Sequence, residues 1–198
     1  MVMYYNPDIF KIQSNNLVPR KGRVLIAEPF LPGNYFNRAV ILIVAYSKKG
    51  SVGFILNKQI ELKVQDYLID FPDFSAPLYI GGPVSTDTIY FIHTRGDIIP
   101  GSIKILDNVF WGGDFDELKR LAEIGLIQSS EVRFFLGYSG WDAGQLEHEI
   151  KENSWLVNDV DGVTVMRKLN VNSWADFVRK VGEKYRIWIN FPENPSMN

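Results

Sequence analysis

The chain contains no cysteine and only two histidines in 198 residues. Without thiols, disulfides, thiolate catalysis and Cys-ligated zinc or iron–sulfur centres are excluded, and the composition suits a reducing cytosol. Two histidines do not make a His-rich metal centre, and no motif marks a carboxylate site for Mg²⁺, so neither metal nor cofactor is expected. The phosphate loop G-x-x-x-x-G-K-S/T and the dinucleotide fingerprint G-x-G-x-x-G are both missing. A basic surplus is missing as well: 21 Lys and Arg stand against 23 Asp and Glu, for a net charge of −2. A protein that holds nucleic acid by neutralising phosphates needs a basic face, so nucleic acid is not the expected partner. Arg20, Lys21 and Arg23 do sit together, and Lys48 and Lys49 fall in a predicted turn, where solvated charge is ordinary. The longest apolar run, residues 39–46, is far shorter than the roughly 20 residues of a membrane helix. Met1-Val2-Met3-Tyr4-Tyr5-Asn6-Pro7 lacks the basic start and apolar stretch of a secretory signal. A cytoplasmic location with no membrane partner is expected.

What is present is the composition of a globule: 46% apolar and 22% charged residues, enough chain for one well-filled core. Residues 1–21 read as an extension with a short helix near Ile9 to Ile12, residues 22–190 as one domain, and residues 191–198 as a loose tail. Strands are predicted at 24–27, 38–46, 52–57, 77–80, 88–94, 102–106, 108–111 and 131–138, with late edge strands at 155–157 and 163–165. The runs at 38–46 and 52–57, joined by Ser47-Lys48-Lys49-Gly50-Ser51, read as a hairpin. Ala39-Val40-Ile41-Leu42-Ile43-Val44 is apolar in every position, which predicts a central strand covered on both faces. Helices are predicted at 62–71, from Asp114 with Glu117 in capping-box spacing, and from Ser173, where Trp174, Phe177, Val178 and Val181 recur at helical spacing. Strands come first and helices late, which favours an α+β domain with a mixed or mostly antiparallel sheet. Glycines at strand ends predict that this sheet bends strongly.

One stretch concentrates the special residues: Gly137-Tyr138-Ser139-Gly140-Trp141-Asp142-Ala143-Gly144-Gln145-Leu146-Glu147. It reads as a strand end, a glycine-bracketed turn and a helix start, with Asp142 as N-cap and Gln145 completing a capping box. The stretch approximates the nucleophile elbow G-x-S-x-G, but Trp141 stands where the last glycine belongs. His93 precedes the serine, and His148 lies on the helix that follows it. No catalytic set is complete, so no catalytic residue is assigned. Gly144 in a first helical turn costs about 1 kcal/mol against alanine, which calls for a reason: close approach of a ligand or tight packing on a strand.

The chain resembles the YqgE/AlgH family of bacterial proteins. The resemblance rests on Gly22-Arg23-Val24-Leu25-Ile26-Ala27-Glu28-Pro29, Phe36-Asn37-Arg38-Ala39-Val40, Gly53-Phe54-Ile55-Leu56-Asn57, Gly81-Gly82-Pro83-Val84, and Gly137-Tyr138-Ser139-Gly140-Trp141 followed by Gly144-Gln145-Leu146-Glu147. It implies a single α/β domain whose curled sheet forms a partial barrel with flanking helices. It implies no activity, although one branch carries a name linked to transcriptional control.

Together these readings point to a small binding or regulatory protein rather than an enzyme. The expected working surface is a cleft where Asn57, Gly81, Gly82, Pro83, His93 and Tyr138 meet the helix entered through Trp141, Gly144 and Gln145, open to a small molecule or a protein. The rival is a hydrolytic or transfer enzyme using His93 or a carboxylate, which requires His93 to face a pocket. A third reading, direct DNA binding by a transcriptional regulator, runs against the charge balance.

Overall fold

A computed structural model describes residues 15–68 and 70–192. The helix expected near Ile9 to Ile12 and most of the tail lie outside the described residues. Ten strands and four α-helices are present among the described residues. They are β1 Arg23–Ala27, β2 Val40–Ser47, β3 Gly50–Ile55, β4 Gln59–Lys63, β5 Pro77–Ile80, β6 Val84–His93, β7 Ile103–Leu106, β8 Val109–Trp111, α1 Phe115–Glu123, β9 Val132–Asp142, α2 Gln145–Lys151, β10 Trp155–Asp159, α3 Gly162–Met166 and α4 Ser173–Val181.

The strands form one mixed, mostly antiparallel sheet in the order β10-β1-β2-β3-β9-β6-β8-β7, and β5 joins β9 in parallel while pairing β4. The sheet does not close; β10 and β7 stand at its two ends. β9 is the spine. Its first half pairs β5 through Phe134, Phe135 and Leu136, and its second half pairs β3 through Ser139 to Asp142. β6 runs along the opposite edge of β9. The changeover falls at Gly137, which has φ +65°, a left-handed conformation that side chains disfavour. A side chain there would also press on the carbonyls of Gly82 and Val84. The sheet bends where β9 changes partners.

Strand alternation divides the apolar residues among three cores. Val40, Leu42 and Val44 of β2 point into the hollow of the bend, where they join Phe54, Tyr79, Phe135, Trp174, Phe177 and Val178. Ile41 and Ile43 point the other way, toward Trp141, Leu146 and Trp155 under α2. Phe134 and Leu136 face a third core with Leu118 and Leu121 of α1. β2 is therefore covered on both faces, as its unbroken apolar run predicts. α1 begins as predicted: the Asp114 carboxylate accepts from the Glu117 amide at 3.0 Å.

Four local expectations are corrected. Residues 62–71 do not form a helix; β4 occupies Gln59–Lys63 and a single 3₁₀ turn follows at Val64–Asp66. Pairing with β5 holds the first part extended, and the stretch before Pro72 is too short to offset helix nucleation. Residues 163–165 are helical in α3, not a strand, because the Asp161 carboxylate caps the Thr164 amide at 2.7 Å and overrides the β preference of valine. β9 does not stop at Tyr138 but continues to Asp142, since β3 offers it a partner. The hairpin turn is shorter than expected, leaving Lys48 and Lys49 between β2 and β3.

Candidate functional site

Asn57 follows β3 and is fully buried. Its side chain takes the place of another strand: Oδ1 accepts from the Val40 amide at 2.8 Å and Nδ2 donates to the Arg38 carbonyl at 2.9 Å. These two bonds fix the entry to β2, where Arg38 has φ +49°. The other non-glycine residues at positive φ among those described are Asn16, Ser85, Asp107 and Asn153. All four are short and polar. Asn and Asp tolerate this region, whereas for a long side chain it costs on the order of 1–3 kcal/mol. Arg38 is the long one, and Asn57 holds it there.

Its guanidinium lies over the Trp174 ring, 5.0 Å from the centroid, and Nη2 donates to the Phe191 carbonyl. Trp174 is fixed in turn by donation from Nε1 to the Ala27 carbonyl at 2.9 Å. Beside Arg38 opens a recess of about 310 Å³ lined by Asn34, Asn37, Arg38, Lys58 and Val171. A second, of about 330 Å³, shares Arg38 and Val171 and continues along the start of α4 past Asn172, Trp174, Ala175, Asp176 and Arg179. Lys58, half-buried, donates to the Asn34 carbonyl at 2.7 Å. Burial pulls its ammonium below the usual lysine pKa. The sequence reading named Asn57 but missed the lining residues. Their signal was present in two of the quoted motifs, since Phe36-Asn37-Arg38-Ala39-Val40 carries the arginine and the residue after Asn57 is the lysine.

The strand ends at Asn57, Gly81, Gly82, Pro83 and Tyr138 do come together. The Ile80 amide donates to the Lys58 carbonyl at 2.9 Å, and the Ile55 amide donates to the Gly81 carbonyl at 3.0 Å. What meets there is backbone against backbone. A side chain at Gly81 would overlap the Gly137 carbonyl, and one at Gly82 would overlap the Tyr138 backbone. Ser139 is fully buried and donates to the Gly81 carbonyl at 3.1 Å, which makes it a brace and not a nucleophile. Pro83, with Gly82 before it, leads into β6 at Val84, opposite Tyr138.

Trp141, Gly144 and Gln145 belong to a different joint, centred on Glu149. One Glu149 oxygen accepts from the indole N–H of Trp141 at 2.8 Å and of Trp155 at 2.7 Å, and the other accepts from Gln145 Nε2 at 2.9 Å. The two indoles meet edge to face, 6.1 Å apart. Half of the predicted capping box is present: Gln145 accepts from the Asp142 amide at 3.0 Å. The N-cap, however, is Gly144 and not Asp142. Gly144 has φ +78° and would meet nothing with an added Cβ. Tight packing on a strand is therefore not the reason for this glycine; the left-handed backbone conformation by itself favours it.

His93 is fully buried at the far end of β6. Nδ1 accepts from the Arg95 amide at 3.1 Å, so Nε2 carries the proton and reaches the Gly112 carbonyl at 2.9 Å, with Ser102 Oγ 3.1 Å away. Burial holds the imidazole pKa below its usual value. Both nitrogens are thus committed. Arg133 is another buried group that sequence reading passed over. It donates to the carbonyls of Leu56 and Val165 and lies 4.0 Å from the Tyr79 ring centroid. Of the clustered cations near the start of β1, Arg20 and Arg23 both bind Asp159, at 3.0 and 2.9 Å. That pairing takes up much of the local positive charge.

No three His, Asp or Glu side chains gather into a metal-binding group among the described residues. None of the described helices is long and apolar enough to cross a membrane.

Comparison with known proteins finds a family model described as DUF179, AlgH-like, matching residues 24–186. A UPF0301 protein of Bacteroides thetaiotaomicron is 43% identical over 197 residues, covering 99% of this chain and 100% of the relative. Another, from Parabacteroides distasonis, is 44% identical over 200 residues and covers both chains fully. Among solved structures, a crystal structure of a Corynebacterium diphtheriae protein superposes with a TM-score of 0.71 at 23% identity, covering 95% of this chain and 100% of the other. The solution structure of the AlgH protein from Pseudomonas aeruginosa gives 0.69 at 23% identity, covering 90% and 98%. These two likenesses support the fold alone.

Proposed function

The chain belongs to the AlgH-like family, and we propose its function from the geometry: a cytoplasmic binding protein, regulatory and not catalytic. Its ligand cleft is the pair of recesses on either side of Arg38 and Val171. One observation carries this reading. A long cationic side chain is held in a strained backbone conformation by a fully buried asparagine, at the lip of a concave surface. Strain of this kind persists only where the surroundings enforce it, and it is concentrated at sites that hold ligands. Recesses of about 310 and 330 Å³ lie at the lower end of the range for small-molecule sites.

Within this reading the nine residues singled out from the sequence divide their work. Asn57 stands directly beneath the cleft. Gly81, Gly82, Pro83 and Tyr138 hold the strand junction behind it, while Trp141, Gly144 and Gln145 brace α2. His93 anchors the far end of β6. An enzyme based on His93 gains no support, since its ring faces carbonyl and hydroxyl partners in the interior.

The test is a thermal-shift screen of a metabolite collection against wild type, Lys58→Ala and Val171→Trp. The Lys58 side chain makes a single hydrogen bond among the described residues and Val171 is 60% exposed, so both variants should fold. Compounds that raise the melting temperature of wild type but of neither variant support the cleft. A collection in which every stabilising compound acts equally on all three proteins, or in which none acts at all, overturns it.

A further inference from the structure

We infer that the outer edge of β10 is a strand-accepting surface for a second copy of this chain, and that residues 15–20 are a strap that keeps it occupied. Among the described residues, β10 stands at one end of the sheet and pairs only β1. Its alternation follows from one bond. The Glu28 amide donates to the Ser154 carbonyl at 3.0 Å, so the backbone of the even-numbered residues faces β1. Trp155, Val157 and Asp159 therefore turn their N–H and C=O groups outward, as an edge strand does. At the middle of that edge sits Asn15. Its Oδ1 accepts from the Val157 amide at 3.2 Å, and its Nδ2 donates to the Val157 carbonyl. A carboxamide has the donor and acceptor of a peptide group, and this one makes both bonds that a further strand would make. Asn15 is a stand-in for extended main chain.

The strap is fixed at a few points rather than packed along its length. Pro19 is buried and Leu17 touches the core under α2. Arg23 donates to the Val18 carbonyl at 2.6 Å, and Arg20 binds Asp159 at 3.0 Å with both side chains largely exposed. An ion pair that exposed adds little. A recess of about 490 Å³ lies between residues 16–19 and Glu147, Ile150, Lys151 and Asn153, so the strap does not sit down on α2. The edge itself favours a second copy as its occupant. A two-fold axis through Val157 pairs β10 antiparallel with its own copy, setting Val157 against Val157 and Trp155 against Asp159. Asp159 is the one charged residue of β10. This register keeps the two Asp159 carboxylates from facing each other, which would oppose pairing. The Val157 groups released by Asn15 then bond those of the copy, and the sheet runs on across two chains.

The experiment compares the full chain as wild type, as the double variant Asn15→Ala with Arg20→Ala, and as Asn15→Asp. Hydrogen exchange at the Val157 amide and sedimentation velocity are measured at low and at high protein concentration. Wild type should be monomeric and protected at Val157 in both. In the dilute double variant Val157 should exchange at least tenfold faster, the scale of one hydrogen bond. At high concentration that variant should dimerise and regain protection at Val157. Asn15→Asp keeps the acceptor but turns an oxygen toward the Val157 carbonyl, so it should move the same way; it carries the test if the double variant does not fold. Val157 exchange unchanged in both variants overturns the inference. So do variants that stay monomeric at high concentration, and a dimer in which Val157 still exchanges fast, since it pairs through another face. A wild type that dimerises as strongly as the variants overturns the role of the strap. None of these readouts involves the recesses beside Arg38, so the outcome is independent of the cleft.

Discussion

Replacing Asn57 with alanine tests the physical basis of the site most directly. The change removes two hydrogen bonds and nothing exposed. The Val40 amide, fully buried, loses its acceptor, and the Arg38 carbonyl, half-buried, loses its donor. A buried amide left unsatisfied costs about 1–3 kcal/mol, and a carbonyl that water can reach costs less. With the small void added, the expected loss is roughly 2–4 kcal/mol. For a chain of this length that corresponds to a fall in melting temperature of about 5–15 °C. Asn57→Asp sharpens the test because it preserves size and the acceptor to Val40. It places a second oxygen against the Arg38 carbonyl and buries a charge, so it should destabilise at least as much as alanine, with partial recovery at low pH as the carboxyl is protonated. Urea unfolding followed by tryptophan fluorescence gives the free energies, provided the m-value is unchanged. If Asn57→Ala costs under about 0.5 kcal/mol, or Asn57→Asp matches wild type, Asn57 does not hold the backbone of Arg38 and the site loses its foundation.

Three further outcomes follow from the same structure. Gly81→Ala and Gly144→Ala should separate cleanly in urea: the first forces a methyl into the Gly137 carbonyl and should unfold the protein or cost more than about 3 kcal/mol, whereas the second meets open space and should cost only the left-handed strain of about 1–2 kcal/mol. Equal losses would refute the different roles given to the two glycines. Removing the Glu149 carboxylate should be felt by two indoles at once. Glu149→Ala should destabilise by roughly 2–4 kcal/mol and shift tryptophan emission, while Glu149→Gln should retain part of both; an unchanged spectrum in Glu149→Ala would refute the shared acceptor. His93 has a folded pKa below its ordinary 6.5, so between those two values the unfolded chain binds more protons and stability rises with pH. Acidifying from pH 7 should therefore lower the urea midpoint, with His93 contributing at most about 1.4 kcal/mol per pH unit. His93→Gln, which keeps a donor toward Gly112, should flatten that part of the profile; an unaltered slope would show that His93 does not titrate there.

Much of the architecture was legible because it follows from short-range rules. Six apolar residues in succession at the start of β2 can be satisfied only by cover on both faces. Asp114 with Glu117 three residues later marks the start of α1 whatever surrounds it, and the helical spacing of Trp174, Phe177 and Val178 marks α4. The strong bend was also readable from glycines at strand ends. Two errors arose where long-range partners decide, and a third from a local cap that was overlooked. Residues 59–63 are extended because β5 lies beside them, and β9 passes through Gly137 because β3 takes over as its partner. Val163 and Val165 favour a strand by themselves, yet the Asp161 cap makes them helical.

The candidate site shows the same division. Asn57 was visible as a polar residue ending an apolar strand, but its role depends on Arg38 and Val40, 19 and 17 positions away. Val171 reaches the recess from the opposite end of the chain, and no local pattern could place it beside Lys58. Composition and periodicity determined the class of fold, the burial of β2, the helix starts and the chemistries that a chain without cysteine cannot perform, because each of these depends on residues a few positions apart. Which glycine is forced by a neighbour and where a recess opens were settled by tertiary packing, because each is a property of atoms brought together from distant parts of the chain.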